Sequence, residues 1–132
     1  MNEQIFRKLF EKDMSFQSCR NVIWEKDRIC FEATVEESDC NPYGVAHGGY
    51  LYSLCDNAAG LLGAQLGFYV VTQQASISYI KAAAVREKLS VIAVCIHDGR
   101  SSKVAEVSVS NRKNELLCRA VFTLFPFKKI EE

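Results

Sequence analysis

The second half of the chain places the strongest constraint on the fold. Four segments rich in β-branched and aromatic residues follow Gly67, namely VVTQQASISYI, KLSVIAVCIHD, SKVAEVSVS and LLCRAVFTLF. Short turn sequences separate them, and two of these turns, around Asp98-Gly99 and from Asn111 to Asn114, are typical of hairpins. Four such segments joined by tight turns predict an antiparallel sheet.

The first half of the chain adds two helices and one strand. Apolar residues at helical spacing predict a short amphipathic helix over residues 2–14. The segment RICFEATVEE alternates between apolar and polar residues, as a half-buried strand does. A longer helix is predicted from about Gly48 to about Leu66. This order of elements predicts an α+β domain in which one long helix covers one face of an antiparallel sheet.

Length and composition narrow the class of protein. A chain of 132 residues is the usual size of one domain, so we expect a single domain over residues 1–132. Its 16 basic and 16 acidic side chains cancel, which gives no reason to expect a nucleic acid or a membrane as partner. The charged N-terminus does not resemble a signal peptide. None of the six cysteines has zinc-type spacing, so we expect a reduced, cytoplasmic protein without metal or cofactor.

One predicted strand is apolar on both faces. In LSVIAVCIH, one face carries Leu89, Val91, Ala93 and Cys95, and the other carries Ile92, Val94 and Ile96. A sheet covered by one helix needs only one apolar face. The second face is therefore predicted to meet another subunit, although a central strand covered by a loop would show the same pattern.

The long helix carries an unusual stripe of residues opposite its leucine-rich face. At 100° per residue, four residues lie within about 40° of Asp56 around the helix: Gly49, Tyr52, Gly60 and Gly63. Asp56 is the only formally charged residue between Asp39 and Lys81. Glycine within a helix costs about 0.5–1 kcal/mol relative to alanine, so the glycines suggest close approach by another backbone or a ligand. We therefore predict that a second chain covers this stripe, and that Asp56 is functional rather than an ordinary helix acid.

Gly48 and Gly49 begin this helix directly after His47. The first turn of a helix leaves N–H groups without intrahelical partners, and the helix dipole adds partial positive charge there. Glycines let a substrate carbonyl approach these donors, as an oxyanion hole requires. A glycine turn needed only for backbone geometry would give the same string.

The stretch NPYGVAHGGYLYSLCDNAAG, residues 41–60, resembles the signature of hotdog-fold acyl-CoA thioesterases of the phenylacetate-degradation (PaaI-like) type. Asparagine, glycine, His-Gly-Gly and then an acid nine residues after the histidine form that pattern. The resemblance extends over roughly residues 28–125 and includes VTQQASISYIKAA and HDGRSSKVAEVSV. It implies a hotdog fold, with a long helix wrapped by an antiparallel sheet. It also implies homodimers with a continuous sheet, which often pair into homotetramers, and an active site at the subunit interface.

The resemblance also implies roles for individual residues. The Gly48 N–H, with Gly49 beside it, would bind the thioester oxygen, and Asp56 would activate water or attack the carbonyl itself. Asn41 and His47 would hold the thioester and place the helix start, and Thr72 would lie near the attacking water. Other side chains are candidates for substrate binding, namely Tyr50 and Tyr52 in the acyl pocket and Arg100 and Lys103 at the CoA phosphates.

The leading hypothesis is therefore an acyl-CoA thioesterase. Two alternatives remain, a non-catalytic hotdog module that binds acyl-CoA and a hotdog hydratase or dehydratase. The retained Asp56 disfavours the first, and the Gly-Gly after His47 fits the thioesterase pattern better than the second. Cys40 and Cys55 flank His47 without a cysteine-hydrolase signature, so both are predicted to be packing residues.

Overall fold

A computed structural model describes residues 3–131. The helices are α1 (Glu3–Lys12) and α2 (Gly48–Gln65), with short 3-10 turns at Met14–Ser18 and Glu37–Asp39. The strands are β1 (Arg20–Glu25), β2 (Arg28–Thr34), β3 (Phe68–Tyr79), β4 (Lys88–Asp98), β5 (Lys103–Asn111) and β6 (Leu116–Lys129). No helix among these residues is both long enough and apolar enough to cross a membrane.

The six strands form one antiparallel sheet in the order β1-β2-β4-β5-β6-β3. The helix α2 lies across one face and contacts β2 through β6. Alternation in β5 shows how the core forms, because Ala105, Val107 and Val109 are fully buried while the residues between them are not. Leucines and alanines of α2 fill the space above them, namely Leu51, Leu54, Ala58, Leu61 and Leu62. This arrangement is the predicted hotdog fold.

Backbone chemistry fixes both ends of α2. His47 caps the N-terminus in an extended conformation, and its N–H donates to the Asp39 carbonyl over 2.8 Å. At the other end, Gly67 adopts φ +97°, a left-handed conformation that favours glycine and stops the helix. The Gly67 carbonyl then accepts a hydrogen bond from the Ile130 N–H, which ties the helix end to the end of β6.

The sequence patterns predicted most elements correctly and missed one strand. The long helix, the β2 strand and the four strands after Gly67 lie where they were predicted. Strand β1 was not predicted, since its apolar alternation is short and an irregularity between Arg20 and Ile23 interrupts its pairing. The N-terminal helix is shorter than predicted, because Asp13 caps the separate 3-10 turn at Met14–Ser18. Its predicted start, residue 2, lies outside the described residues.

The outer face of β4 is exposed in the single chain. Its inner residues Leu89, Val91 and Ala93 are buried, whereas Val94 and Ile96 on the outer face are 36% and 56% exposed. Strand β3 ends the described sheet on one side with Val71 and Tyr79 half exposed. That a further subunit covers the outer face of β4 and the edge strand β3 stays a prediction.

The two interior glycines of α2 have different surroundings. A Cβ added to Gly63 would lie 2.6 and 2.8 Å from the two methyl carbons of Val70, whereas one added to Gly60 would meet nothing within 4 Å. The close neighbour of Gly63 is thus strand β3 of the same chain. The prediction that a second chain accounts for this glycine is wrong, because intrachain packing already forbids a side chain there.

Alanine at the two positions should have opposite effects on stability. Gly63→Ala forces Val70 or the helix to move, so we expect the free energy of unfolding to fall by about 1–3 kcal/mol. Gly60→Ala should raise it by about 0.5–1 kcal/mol, because alanine restricts the unfolded chain and meets no neighbour. Urea unfolding of both variants measures the difference. Equal effects of the same sign would contradict the assigned packing.

Candidate functional site

Asp56 lies in the middle of α2 and is held by Thr72. The Thr72 hydroxyl donates to Asp56 Oδ1 over 2.6 Å, across the gap between the helix and strand β3. Asp56 is partly exposed, and no ion pair to it occurs among residues 3–131. A carboxylate with one donor and no cation keeps lone pairs free to accept a proton or to attack a carbonyl.

A bulge in β3 directs Thr72 toward the helix. Thr72 pairs with the buried Leu124, and Ala75 pairs with the buried Phe122, so both face α2. Strict alternation would not place residues three apart on one face, and the register shift between Thr72 and Gln74 supplies the extra residue. Bulges of this kind often re-aim a side chain beside an active site.

Asp56 and Thr72 stand at one end of a cavity of about 420 Å³, which we call the Asp56 cavity. Its walls come from α1 and the following turn, from α2, and from the ends of β3 and β6. The side chains and glycine along it are largely apolar, namely Leu9, Phe16, Gly60, Ala64, Tyr69 and Phe127. A small molecule with an apolar part fits such a site.

The N-terminus of α2 forms a second surface near Tyr79. The Tyr79 hydroxyl donates to the Gly48 carbonyl over 2.7 Å, and a Cβ on Gly48 would lie 3.1 Å from the tyrosine ring. Gly48 is exposed and lines a groove with Ala46, Leu51 and Tyr79. No acidic residue occupies the first turn of α2, so the partial positive charge of the helix end is not offset there.

Asn41 organises the loop that leads into α2. Its side-chain oxygen accepts the N–H groups of Tyr43 over 3.0 Å and of Val45 over 3.3 Å, and its own N–H donates to the Val45 carbonyl over 2.8 Å. His47 follows with an exposed side chain that makes no capping hydrogen bond. Both residues therefore place the helix start, and their contact with a substrate stays a prediction.

One chain does not bring Gly48 and Asp56 together. Asp56 follows Gly48 by eight residues in the same helix, which separates them by about 12 Å along the axis. A carbonyl carbon in reach of Asp56 is thus too far from the Gly48 N–H of the same chain. The two halves of the predicted site meet only if a second chain supplies one of them.

The two tyrosines do not line the Asp56 cavity. Tyr50 is half-buried in a separate polar cleft, where its hydroxyl donates to the Thr34 carbonyl over 3.4 Å and where burial raises its pKa. The Tyr52 ring packs against Phe122, with ring centroids 5.6 Å apart. Their role as acyl-pocket residues stays a prediction.

Lys103 is buried at the start of β5. It is 4% exposed, pairs with Asp98, donates to the Gly99 carbonyl over 3.3 Å and lies 4.6 Å from the Phe68 ring centre. These contacts already engage its ammonium group, and a contact with CoA stays a prediction. Arg100 is exposed in the adjacent β4–β5 turn, and its contact with CoA stays a prediction.

Cys55 is a packing residue. Its side chain is fully buried, and its sulfur lies 4.0 Å from that of Cys118 on β6. The hydrogen bond with Cys118 and burial raise the pKa of Cys55 far above its usual value. A thiol that stays protonated is a poor nucleophile, so this environment argues against cysteine chemistry beside Asp56.

Two residues important for the site were missed in the sequence. Tyr79 fixes the start of α2, and Asn57, which is buried beside Asp56, bonds to the turn after α1 through Ser15. Alternation in SISYI could have placed Tyr79 on the inner face, but its contact with Gly48 spans 31 residues. No local pattern predicts either contact.

Among residues 3–131, no cluster of three metal-ligating side chains occurs.

Comparisons with known proteins agree with the fold. The family model described as Thioesterase superfamily matches residues 43–118, a range that contains Gly48, Asp56, Thr72 and Tyr79. A Streptococcus mutans protein, smu.793, solved bound to acetyl CoA, is 37% identical with a TM-score of 0.82. The match covers 83% of this chain and 90% of that one.

Two further solved structures are similar. A hypothetical thioesterase protein from Streptococcus pneumoniae, solved with coenzyme A, is 35% identical, covers 84% of this chain and 90% of that one, and gives a TM-score of 0.82. The Escherichia coli PaaI protein of the phenylacetic acid degradation operon is 19% identical over 97% of this chain and 95% of that one. Its TM-score of 0.88 shows a common fold.

The S. pneumoniae protein was also solved as two single variants. One has alanine in place of an aspartate, and the other has alanine in place of a threonine sixteen residues later. Asp56 and Thr72 of this chain have the same spacing. These variants concern that protein.

Loss of the Asn41 amide should loosen the loop before α2. Asn41→Ala removes an acceptor for two backbone N–H groups, each worth about 1 kcal/mol. We expect the free energy of unfolding to fall by about 1–2 kcal/mol and the Val45 amide to exchange its hydrogen faster. Asn41→Asp keeps the oxygen acceptor and should remain close to the parent protein. Slow exchange at Val45 in Asn41→Ala would show that the side chain does not hold the loop.

Proposed function

Because the chain belongs to the thioesterase superfamily, we propose that it hydrolyses an acyl-CoA thioester to a free acid and CoA. The observation that carries this proposal is the Thr72–Asp56 hydrogen bond between two residues that line a largely apolar cavity. Two streptococcal neighbours were solved with acetyl CoA and with coenzyme A, and this supports CoA as the thiol part of the thioester. Membership of this superfamily supports the hydrolysis of thioesters in general, without specifying the acyl group.

The catalytic centre combines residues of two chains. Asp56 and Thr72 come from one protomer, and the Gly48 N–H comes from its partner, because a single helix holds Gly48 and Asp56 about 12 Å apart. The edge strand β3 supports a two-fold pairing, since it carries both Thr72 and Tyr79 and since no strand within residues 3–131 pairs with one side of its backbone. The dimer therefore has two equivalent sites.

Hydrolysis requires a base or nucleophile and a donor for the developing oxyanion. In one route, a water oxygen adds to the thioester carbonyl carbon while its proton passes to the Asp56 carboxylate. The carbonyl oxygen becomes an oxyanion held by the partner's helix N-terminus, and the carbon–sulfur bond then breaks. The proton on Asp56 can neutralise the thiolate that leaves.

The alternative route uses Asp56 as the nucleophile. Its carboxylate oxygen adds to the carbonyl carbon, the carbon–sulfur bond breaks, and the mixed anhydride is then hydrolysed by water. In both routes the Thr72 hydroxyl donates to Asp56 Oδ1 and fixes the orientation of the carboxylate. Its oxygen keeps lone pairs that can accept a hydrogen bond from the attacking water.

Removal of the carboxylate should abolish turnover without unfolding the protein. We expect Asp56→Asn to lower kcat by about 10²–10⁴-fold, since a positioned base or nucleophile contributes an effect of this size. Thr72→Val should lower kcat to a smaller extent by releasing the carboxylate, while Thr72→Ser keeps the hydroxyl and should retain most activity. Free-thiol release from a panel of acyl-CoAs measures these effects. The absorbance of enoyl-CoA, followed in parallel, reports any hydratase activity.

Near-normal hydrolysis by Asp56→Asn would remove this residue from the reaction. Binding of acyl-CoA without thiol release by the parent protein would favour a non-catalytic module. Loss of enoyl absorbance without thiol release would favour a hydratase.

The oxyanion donor can be tested by removing one N–H. Gly48 is the first helical residue, a position that accepts proline, and His47 already has the extended φ −58° and ψ 143° that proline requires of its predecessor. We expect Gly48→Pro to lower kcat by about 10²–10³-fold. Gly48→Ala adds the same Cβ near Tyr79 but keeps the N–H, so it is the matched control and should lose much less activity.

Mixing two inactive variants tests whether the site is shared between chains. If Asp56→Asn and Gly48→Pro chains are co-expressed, half of the randomly paired dimers are mixed, and each mixed dimer has one intact site. Activity should recover to about a quarter of the parent value. No recovery, with mixed dimers detected by mass spectrometry, would assign both groups to the same chain.

A further inference from the structure

The shape of the Asp56 cavity limits the substrate that the enzyme accepts. From Asp56 and Thr72 the cavity follows α2 past Gly60 to Ala64, and Tyr69 and Phe127 form its wall on the strand side. Leu9 and Phe16 close the other wall. Charged side chains near the cavity, Lys12 and Asp13, are exposed and belong to its rim. The interior thus suits an uncharged apolar chain.

Gly60 keeps the middle of the cavity open. It lines the cavity one helical turn beyond Asp56, and a Cβ at this position would meet no atom of residues 3–131 within 4 Å. Since alanine would favour the helix by about 0.5–1 kcal/mol, glycine at an unobstructed position is not required for packing. Its effect is to leave space for a ligand beside the helix.

The N-terminal segment forms a fixed wall rather than a loose cover. Ile5 is buried against Ala64 and Ile130, and the Phe6 ring meets the Trp24 ring edge-on at 5.8 Å. The turn after α1 is tied to α2, because Asn57 accepts from the Ser15 hydroxyl over 3.0 Å and donates to the Ser15 carbonyl over 3.1 Å. Leu9 is therefore held in place at the cavity wall. This segment lies outside residues 43–118, which the family model covers.

The helix gives a scale for the length of the cavity. Ala64 follows Asp56 by eight residues, or about 12 Å along the axis. An extended chain advances roughly 1.2 Å per bond, so about ten bonds span this distance. We propose that the cavity binds the unbranched saturated acyl chain of a thioester with about eight to ten carbons, and that Gly60 and Leu9 set this length. The proposal rests on the proposed function, because the thioester end of the chain is assigned to Asp56.

Two measurements on the intact protein separate this proposal from the proposed function. One is the dissociation constant of non-hydrolysable S-alkyl-CoA thioethers with two to sixteen carbons in the alkyl chain. The other is kcat/KM for thiol release from the matching acyl-CoAs. We expect both to be optimal at about eight to ten carbons in the parent protein. The binding series reports the cavity even if no thioester is hydrolysed.

A larger side chain at position 60 should shorten the accepted chain. In Gly60→Leu we expect the affinity for the decyl thioether to fall by roughly tenfold or more relative to the butyl thioether. We expect the same fall in kcat/KM for decanoyl-CoA relative to butanoyl-CoA. A loss of this size is typical of steric exclusion from an apolar pocket. Ser53→Leu is the control, because Ser53 is an exposed residue of the same helix that does not line this cavity. If Gly60→Leu fails to fold, Gly60→Ala provides a smaller step in the same direction.

A smaller side chain at position 9 should have the opposite effect. Leu9→Ala opens the wall, and we expect the optimum to move to longer chains, with dodecyl binding improved severalfold relative to octyl. Phe10→Ala is the control, since Phe10 is also half-buried on α1 and packs against Phe6 away from the cavity. It should lose packing without a change in the preferred length.

The outcomes are distinct for the two proposals. Opposite shifts in Gly60→Leu and Leu9→Ala, absent in both controls, support the assignment. Hydrolysis with the same length profile in all variants overturns it and leaves the thioesterase proposal intact. Length-dependent binding without any thiol release supports the cavity assignment and overturns the proposed function.

Discussion

The contact between α2 and strand β3 determines the geometry of the candidate site. Tyr79 bonds to Gly48 at the start of the helix, Thr72 bonds to Asp56 in its middle, and Val70 packs against Gly63 near its end. Each contact depends on a particular residue type. The Tyr79 side chain is long enough to reach the helix end, the Thr72 hydroxyl can donate a hydrogen bond, and Gly63 leaves room for Val70. Together they fix the helix along the strand, so the catalytic candidates have little freedom to move independently.

The sequence predicts the fold well because burial follows simple periods. Alternation in β4 and β5 and the leucine stripe of α2 identify the layers, and the two tight turns place β4, β5 and β6 side by side. Asp56 could also be singled out, since it is the one charge in a long uncharged stretch. The motif around His47 then supplied a role for Gly48 and Thr72 that periodicity alone does not give.

Three features could not be predicted, for physical reasons. The bulge at Thr72–Gln74 breaks the alternation that places side chains on a face, so only the folded sheet shows that Thr72 meets Asp56. The contacts Gly48–Tyr79 and Ser15–Asn57 join residues 31 and 42 positions apart, beyond any local pattern. Burial of Lys103 depends on Asp98 and Phe68 closing around it, and a lysine in a turn region gives no sign of this.

The lack of charge around Asp56 has a functional explanation. A lysine or arginine beside the carboxylate would hold it in an ion pair and reduce its tendency to accept a proton or to attack a carbonyl. The described structure instead gives Asp56 one neutral donor, Thr72, which orients the carboxylate without neutralising it. The positive end of α2 is kept about 12 Å away in the same chain, so the charge that we propose stabilises an oxyanion does not also quench the proposed base. In the proposed dimer these two functions belong to different chains, so they meet at the substrate while they remain separate within each helix.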